Sequence, residues 1–228
     1  MTMIQNKDRI SIQVGLSGYS FKITTDNEEH SSEWMSADRI FATAEFQRRY
    51  DDVEIAVFTP KFALVPEQFH SAEVSRSLLA DVVSVAEDDL VDSVEVPEYG
   101  AVLLYSNATG ETLSRVVSET VVRTDGTKAS PLPVVYFMLR NISGVSEYNK
   151  IIASYMDGVL YLVIAQGRTL LLCNSFKAQD FTTAQYFIFM AMKRLQLNPE
   201  MSTIRFMTRL DMEQEMSLYR YFRSVEHI

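Results

Sequence analysis

Three aspartates in the last third of the chain, Asp157, Asp180 and Asp211, are the residue types best suited to chemistry. Carboxylates that converge near strand ends can hold the paired metal ions of phosphodiester cleavage. Each also has a plainer reading, and that reading is preferred. Asp157 precedes Gly158 between two apolar runs, the signature of a two-residue hairpin turn. Asp180 stands at the entry to a helical pattern and Asp211 in a loop, and residues 10–16, the first strand, contain no acid. His30, His70 and His227 are scattered and read as surface residues rather than ligands. Cys173 would need a neighbouring base and a lowered pKa to act as a nucleophile. It stands mid-strand between leucine and asparagine, which suits a small core residue. Asn174 and Ser175 end the same strand, where they either bond the backbone or line a cleft; the backbone role is preferred. No Gly-x-x-x-x-Gly-Lys loop is present to cradle phosphates. Neither a metal nor a cofactor is expected from these residues.

Composition narrows the function classes further. A chain of 228 residues makes one large domain or two of about 100 residues each. The net charge of -9 opposes a nucleic-acid partner, which needs a basic face, and an electrostatic anchor on anionic lipid. A single cysteine leaves no internal disulfide and no zinc cluster built on several cysteines. The opening MTMIQNKDR lacks the apolar core of a signal peptide. No run approaches the roughly 18–20 apolar residues of a membrane span. A cytoplasmic protein without membrane insertion is the expectation.

Residues 150–176 organise the rest. They read as three strands joined by turns at Asp157-Gly158 and Gln166-Gly167, apolar enough on both faces to be covered on both sides. At the other end, residues 10–16 and 19–24 alternate apolar and polar about Ser17-Gly18, a hairpin with one face inward. A short third strand fits within 26–33. Ser36 is expected to cap a helix to Arg49, burying Ala37, Ile40, Phe41 and Ala44. Strands follow at 53–58 and 62–65, a helix at 71–80, an acidic loop at 87–98, a strand at 101–105 and a helix at 111–118. Residues 131–142, behind Pro131 and Pro133, fit a helix or a strand. Thr182 and Gln185 fit a capping box for a deeply buried helix over 182–196. A strand at 202–209 and a final helix striped with Met212, Met216, Tyr219, Phe222 and Val225 complete the chain.

The two ends correspond. Each shows a hairpin, a helix (from 36; from 182), a strand (53–58; 203–208) and a further helix (from 71; from 213). A β-β-(β)-α-β-α order that appears twice is what a duplicated ribonuclease-H-like fold would show. The expected class is mixed α/β with two lobes, residues 1–130 and 131–228.

Three stretches carry a resemblance. Leu170-Leu-Leu-Cys-Asn-Ser-Phe176, the Phe- and Tyr-rich helix behind it, and Arg194-Leu-Gln-Leu-Asn-Pro-Glu200 are similar to the C-terminal signature of a bacterial family known as domain of unknown function 3822. Ile10-Ser-Ile-Gln-Val-Gly-Leu-Ser-Gly-Tyr-Ser-Phe21 and Phe62-Ala-Leu-Val-Pro66 resemble its N-terminal features. The match is strongest over 169–228. It implies the actin-like ATPase fold and no activity.

Working members of that fold hold nucleotide at the first hairpin turn of each half, where an acid holds metal and backbone N–H groups cradle phosphate. The resemblance therefore singles out Gly15, Ser17, Gly18, Asp157 and Gly158 as cleft candidates. The first turn lacks the acid; the second has Asp157 without a second glycine or a hydroxyl. Two functions remain: a non-catalytic actin-like protein that binds an unidentified protein partner, which is preferred, or a divergent ATP- or phosphate-handling enzyme of the sugar kinase class with an altered site near Asp157.

Overall fold

The computed structural model describes residues 8–26, 28–106 and 111–228. In chain order it contains β1 (Arg9–Val14), β2 (Gly18–Thr24), β3 (Glu29–Ser31), β4 (Met35–Ser36), two 3-10 turns (Ala37–Ala42, Ala44–Gln47), β5 (Asp52–Val57) and β6 (Phe62–Pro66). Next come α1 (Ser75–Ala80), β7 (Val91–Val96), β8 (Ala101–Ser106), α2 (Glu111–Thr120), β9 (Leu132–Pro133) and α3 (Val134–Gly144). The chain continues with β10 (Asn149–Met156), β11 (Val159–Gln166), β12 (Thr169–Lys177), α4 (Phe181–Arg194), β13 (Thr203–Phe206), α5 (Met212–Tyr219) and β14 (Ser224–His227). Most of the polar opening segment, residues 1–7, lies outside the described residues. Two compact units result: Met1–Thr59 with Ala86–Leu90 and Ser106–Val134, and Pro60–Val85 with Val91–Tyr105 and Val135–Ile228.

In the first unit the sheet order is β3-β2-β1-β5-β9, with β4 also on β2. The alternation in the sequence becomes one buried face: Ile10, Ile12 and Val14 of β1 pair with Ile23, Phe21 and Tyr19 of β2. Each such residue, fully enclosed, contributes about 1.5–3 kcal/mol. A slip of one residue would turn that whole set into water, so the register is fixed. Val117 and Val121 at the end of α2, with Ile40 and Phe46, close the core.

The expected helix over 36–49 is not formed. Residues 37–47 make two 3-10 turns, and the buried positions are Ile40, Thr43 and Phe46. That spacing of three is the 3-10 period, where i and i+3 eclipse. Phe41, expected inside, is 74% exposed.

In the second unit the sheet order is β12-β11-β10-β13-β14. Residues 160–165 of β11 are buried without interruption, as the two-sided apolar pattern requires. One face packs Ile151, Ala153, Leu160, Leu162 and Ile164 against α4 and α5. On β11, Tyr161 stacks with Phe62 of β6 at a centroid distance of 6.5 Å. A small sheet, β6-β8-β7, carries α1, whose Leu79 packs with Val102 and Leu104. The acidic stretch 87–98 thus supplies an edge strand, β7, with Asp92 and Glu95 exposed.

The duplication is evident in the pairing. β1 runs antiparallel to β2 and parallel to β5, and β5 runs parallel to β9. β10 runs antiparallel to β11 and parallel to β13, and β13 runs parallel to β14. This is the ribonuclease-H-like arrangement twice, with β1 and β10 in equivalent places. The helix paired with α5 in this scheme is α2, each leading into the last strand of its sheet; α1 belongs to the small sheet instead. Residues 131–144 resolve as β9 followed directly by α3. The last helix stops at Tyr219, and residues 224–227 are a strand. Among the described residues no helix is long and apolar enough to cross a membrane.

Candidate functional site

The first candidate turn joins β1 to β2. Gly15 N–H donates to the Gly18 carbonyl at 3.0 Å, with Leu16 and Ser17 exposed at the tip. Gly18 and Tyr19 pair with Ser36 and Met35 of β4. A Cβ at Gly18 would lie 2.1 Å from the Met35 carbonyl oxygen and 2.9 Å from Trp34 Nε1. Glycine is needed there because the chain's own backbone lies against it. Beside it, the Tyr19 hydroxyl stands 2.5 Å from Thr43 Oγ1, whose proton goes to the Arg39 carbonyl. Tyr19 is therefore the donor, and the pair ties the hairpin to the 3-10 turns.

The second candidate turn joins β10 to β11. Asp157 (φ 51°) and Gly158 (φ 73°) both take positive φ, and Met156 and Val159 close the ladder on either side. This is the type I′ hairpin that Asp-Gly favours. The Gly158 carbonyl accepts the Ala178 N–H at 2.8 Å, and the Tyr155 hydroxyl donates to the Ala178 carbonyl at 3.0 Å. The chain leaving β12 thus folds over the turn. Burial raises the Tyr161 phenol pKa, and the Asp157 charge raises it further.

A phosphate-binding turn aims several backbone N–H groups at one point and leaves a glycine surface bare for the anion. The first turn has that surface covered by β4. The second carries its glycine for a left-handed φ, and its carbonyl is engaged with the following strand's exit.

The remaining polar candidates sit in local structural roles. Asp180 Oδ1 accepts the Thr183 N–H at 2.7 Å and caps α4, in place of the expected Thr182. Asp211 caps α5 in a reciprocal box with Gln214. Hydrogen bonds from Thr183 hold the Asp180 carboxyl below its usual range. Burial pushes the Cys173 thiol up to about 12, the reverse of an activated nucleophile. Asn174 Oδ1 accepts the Ser175 N–H, and Ser175 Oγ donates to the Pro60 carbonyl. His70 Nε2 is 3.0 Å from Ser75 Oγ, His227 is 3.7 Å from Glu215, and His30 sits on β3 near Phe21. Among the described residues no three His, Cys, Asp or Glu side chains are grouped to hold a metal ion.

Three features were not expected from the sequence. Arg205 on β13 is 11% exposed and bonds Glu147 at 2.5 Å and Glu226 at 2.9 Å. Its hydrogen bond to Glu147 holds that carboxyl low. The apolar series from Met212 to Val225 is also split: Leu218, Phe222 and Val225 are buried, while Met212, Met216 and Tyr219 are 82%, 59% and 46% exposed. Nor is α4 buried all round. Ala184, Ile188, Ala191 and Met192 face the core, and Tyr186 is 62% exposed.

The family described as "Protein of unknown function (DUF3822)" matches residues 2–225. A protein from Bacteroides thetaiotaomicron with an actin-like ATPase fold and unknown function superposes with a TM-score of 0.66 at 15% identity, covering 97% of this chain and 90% of that one. A chain of the PilM-PilN type IV pilus biogenesis complex gives 0.52 at 12% identity, covering 96% and 88%. The cytoplasmic domain of EpsL, an inner membrane component of the Vibrio cholerae type II secretion system, gives 0.47 at 12%, covering 90% and 82%. No protein with a curated description matches the chain in sequence. At these identities the structural likeness is one of fold, the actin-like ATPase fold.

Proposed function

The chain belongs to the DUF3822 family, and from that premise we propose that it works by binding another protein, without chemistry at its two hairpin turns. The observation that carries this reading is Gly18. The only face a glycine opens there is taken by the Met35 carbonyl, 2.1 Å from where a Cβ would stand. A triphosphate at that turn would have to displace β4 from β2. The second turn supports the same reading, since Gly158 is accounted for by its φ and by its bond to Ala178. The fold is compatible with a role in assembly, because a chain of similar fold stands in the PilM-PilN complex. The net charge of -9 favours a partner with a basic face.

Titration calorimetry with ATP and magnesium tests this. The expected outcome is no measurable heat of binding at nucleotide concentrations on the order of millimolar. A parallel melting experiment should show no rise in Tm, since a ligand held only by the native state must stabilise it. Micromolar binding that Asp157→Ala abolishes would overturn the reading and establish a phosphate-handling site at the second turn.

A further inference from the structure

Helix α5 presents Met212, Met216 and Tyr219 at i, i+4 and i+7, and all three are exposed. An apolar stripe at that spacing ordinarily faces a core. Here the core is already filled from the opposite side of the helix, where Leu218 is buried and Ser217 bonds Gln185 of α4. Tyr221 lies off the stripe, its ring packed edge-on against Phe189 of α4 at a centroid distance of 5.0 Å.

The charges beside the stripe say what fits it. Arg220 keeps helical dihedrals (φ -66°, ψ -20°), so the geometry of α5 extends through it. At about 100° per residue, Glu213 and Arg220 fall on the same flank of the stripe, roughly one turn to either side of Met216. Both are exposed, and neither has an ion-pair partner among the described residues. Glu215 lies on the other flank, 3.7 Å from His227. Two such helices packed antiparallel across a two-fold axis at Met216 oppose like flanks, which sets Glu213 of each copy beside Arg220 of the other. Packed in parallel they would oppose unlike flanks and set Glu213 against Glu215. Antiparallel packing forms two Glu213–Arg220 pairs and leaves the two Glu215 on the other flank, each beside His227 of its own chain, whereas parallel packing forms no such pair, so the charges favour the isologous contact.

We propose that α5 is a self-association surface whose occupant is a second copy of this chain, antiparallel, with Met216 on the axis. The contact is small, at the low end of specific interfaces, so the dimer is weak and reversible. This inference does not rest on the reading of the hairpin turns, and ATP binding there would leave it standing.

Sedimentation equilibrium of the whole chain over concentrations on the order of 1–100 µM tests it. The wild type should pass from monomer to dimer across that range, and Met216→Glu should stay monomeric to its top with an unchanged circular dichroism spectrum. Glu213→Arg and Arg220→Glu should each weaken the dimer about tenfold, because each sets two like-charged pairs at the contact. The double variant Glu213→Arg/Arg220→Glu should restore wild-type association. A wild type that stays monomeric throughout, a dimer indifferent to Met216→Glu, or a double variant as weak as the singles would each overturn the proposal.

Discussion

The first hairpins of the two units occupy equivalent places and use glycine for different reasons. At β1–β2, Gly18 has an ordinary φ and is held to glycine by the Met35 carbonyl against it. At β10–β11, Gly158 has nothing nearer than 3.6 Å where a Cβ would stand, and is held to glycine by its φ of 73°. One position is restricted by a neighbour, the other by its own dihedral. The strand order survives either solution, because it depends on which strands pair and which face is apolar rather than on the turn between them. The same contrast continues downstream. After its hairpin the first unit has a three-residue β3 and 3-10 turns, whereas the second has the nine-residue β12 and a fourteen-residue helix.

The sharpest break in this comparison should come from Gly18→Ala. The new methyl meets backbone rather than a flexible side-chain end, so we expect a loss of about 3 kcal/mol in denaturant unfolding. Gly158→Ala should cost only about 1–2 kcal/mol, through dihedral strain. Gly158→Asn should recover part of that loss, since asparagine tolerates the left-handed region, and Gly18→Asn should recover none. Equal costs at the two glycines would erase the distinction.

A smaller effect should appear in alkali, and mainly in the second unit. There burial raises the Cys173 thiol from 9.0 to about 12, and burial with the Asp92 charge raises the Tyr105 phenol from 10.0 to about 12. Groups whose folded pKa lies above the unfolded one stabilise the fold fully below the unfolded value and lose that contribution as pH rises through the folded one. Stability should therefore fall from pH near 9 towards about 12. In Cys173→Ala the onset, followed by circular dichroism, should move towards the tyrosine value of 10.0. An unchanged onset would mean that the thiol ionises no less readily in the folded chain.

The smallest effect concerns the segment after each hairpin. Asp180→Ala should lower Tm slightly at neutral pH, because the carboxylate caps α4. Its carboxyl lies below its ordinary value of 3.8, so the difference from wild type should vanish as pH falls through and below that value. Ser36→Ala should leave Tm unchanged at any pH, since Ser36 makes no side-chain cap on the 3-10 turn it precedes.

What the sequence could disclose followed from periodicity. Ile10, Ile12 and Val14 alternate, Asp157-Gly158 punctuates two apolar runs, and those local signals placed both hairpins and the repeat. The segment 36–49 misled because Ile40, Thr43 and Phe46 recur every three residues, a period easily taken for 3.6 when Ala37 and Phe41 stand nearby. The terminal stripe misled for another reason. Periodicity shows which residues share a face and is silent on whether that face meets a core. Leu218, Phe222 and Val225 had filled the interior, so Met212 and Met216 turned outward. The crowding at Gly18 lay beyond local reading, since it depends on Met35, seventeen residues away in the chain and paired by the sheet.

The division of each unit into separate stretches of chain has a consequence for synthesis. On the ribosome, β5 emerges early, but the neighbours of Ala56 and Val57 are Leu132 and Pro133 of β9. At typical elongation rates that gap is roughly 4–15 seconds. During it the first sheet has its fourth strand as an open edge, whereas β8 emerges after both of its strand neighbours, β6 and β7. A nascent chain in that interval displays one unpaired strand edge, that of β5. Between the synthesis of β5 and of β9 that edge is open to pairing with another chain, and slowing codons there would lengthen the exposure rather than shorten it.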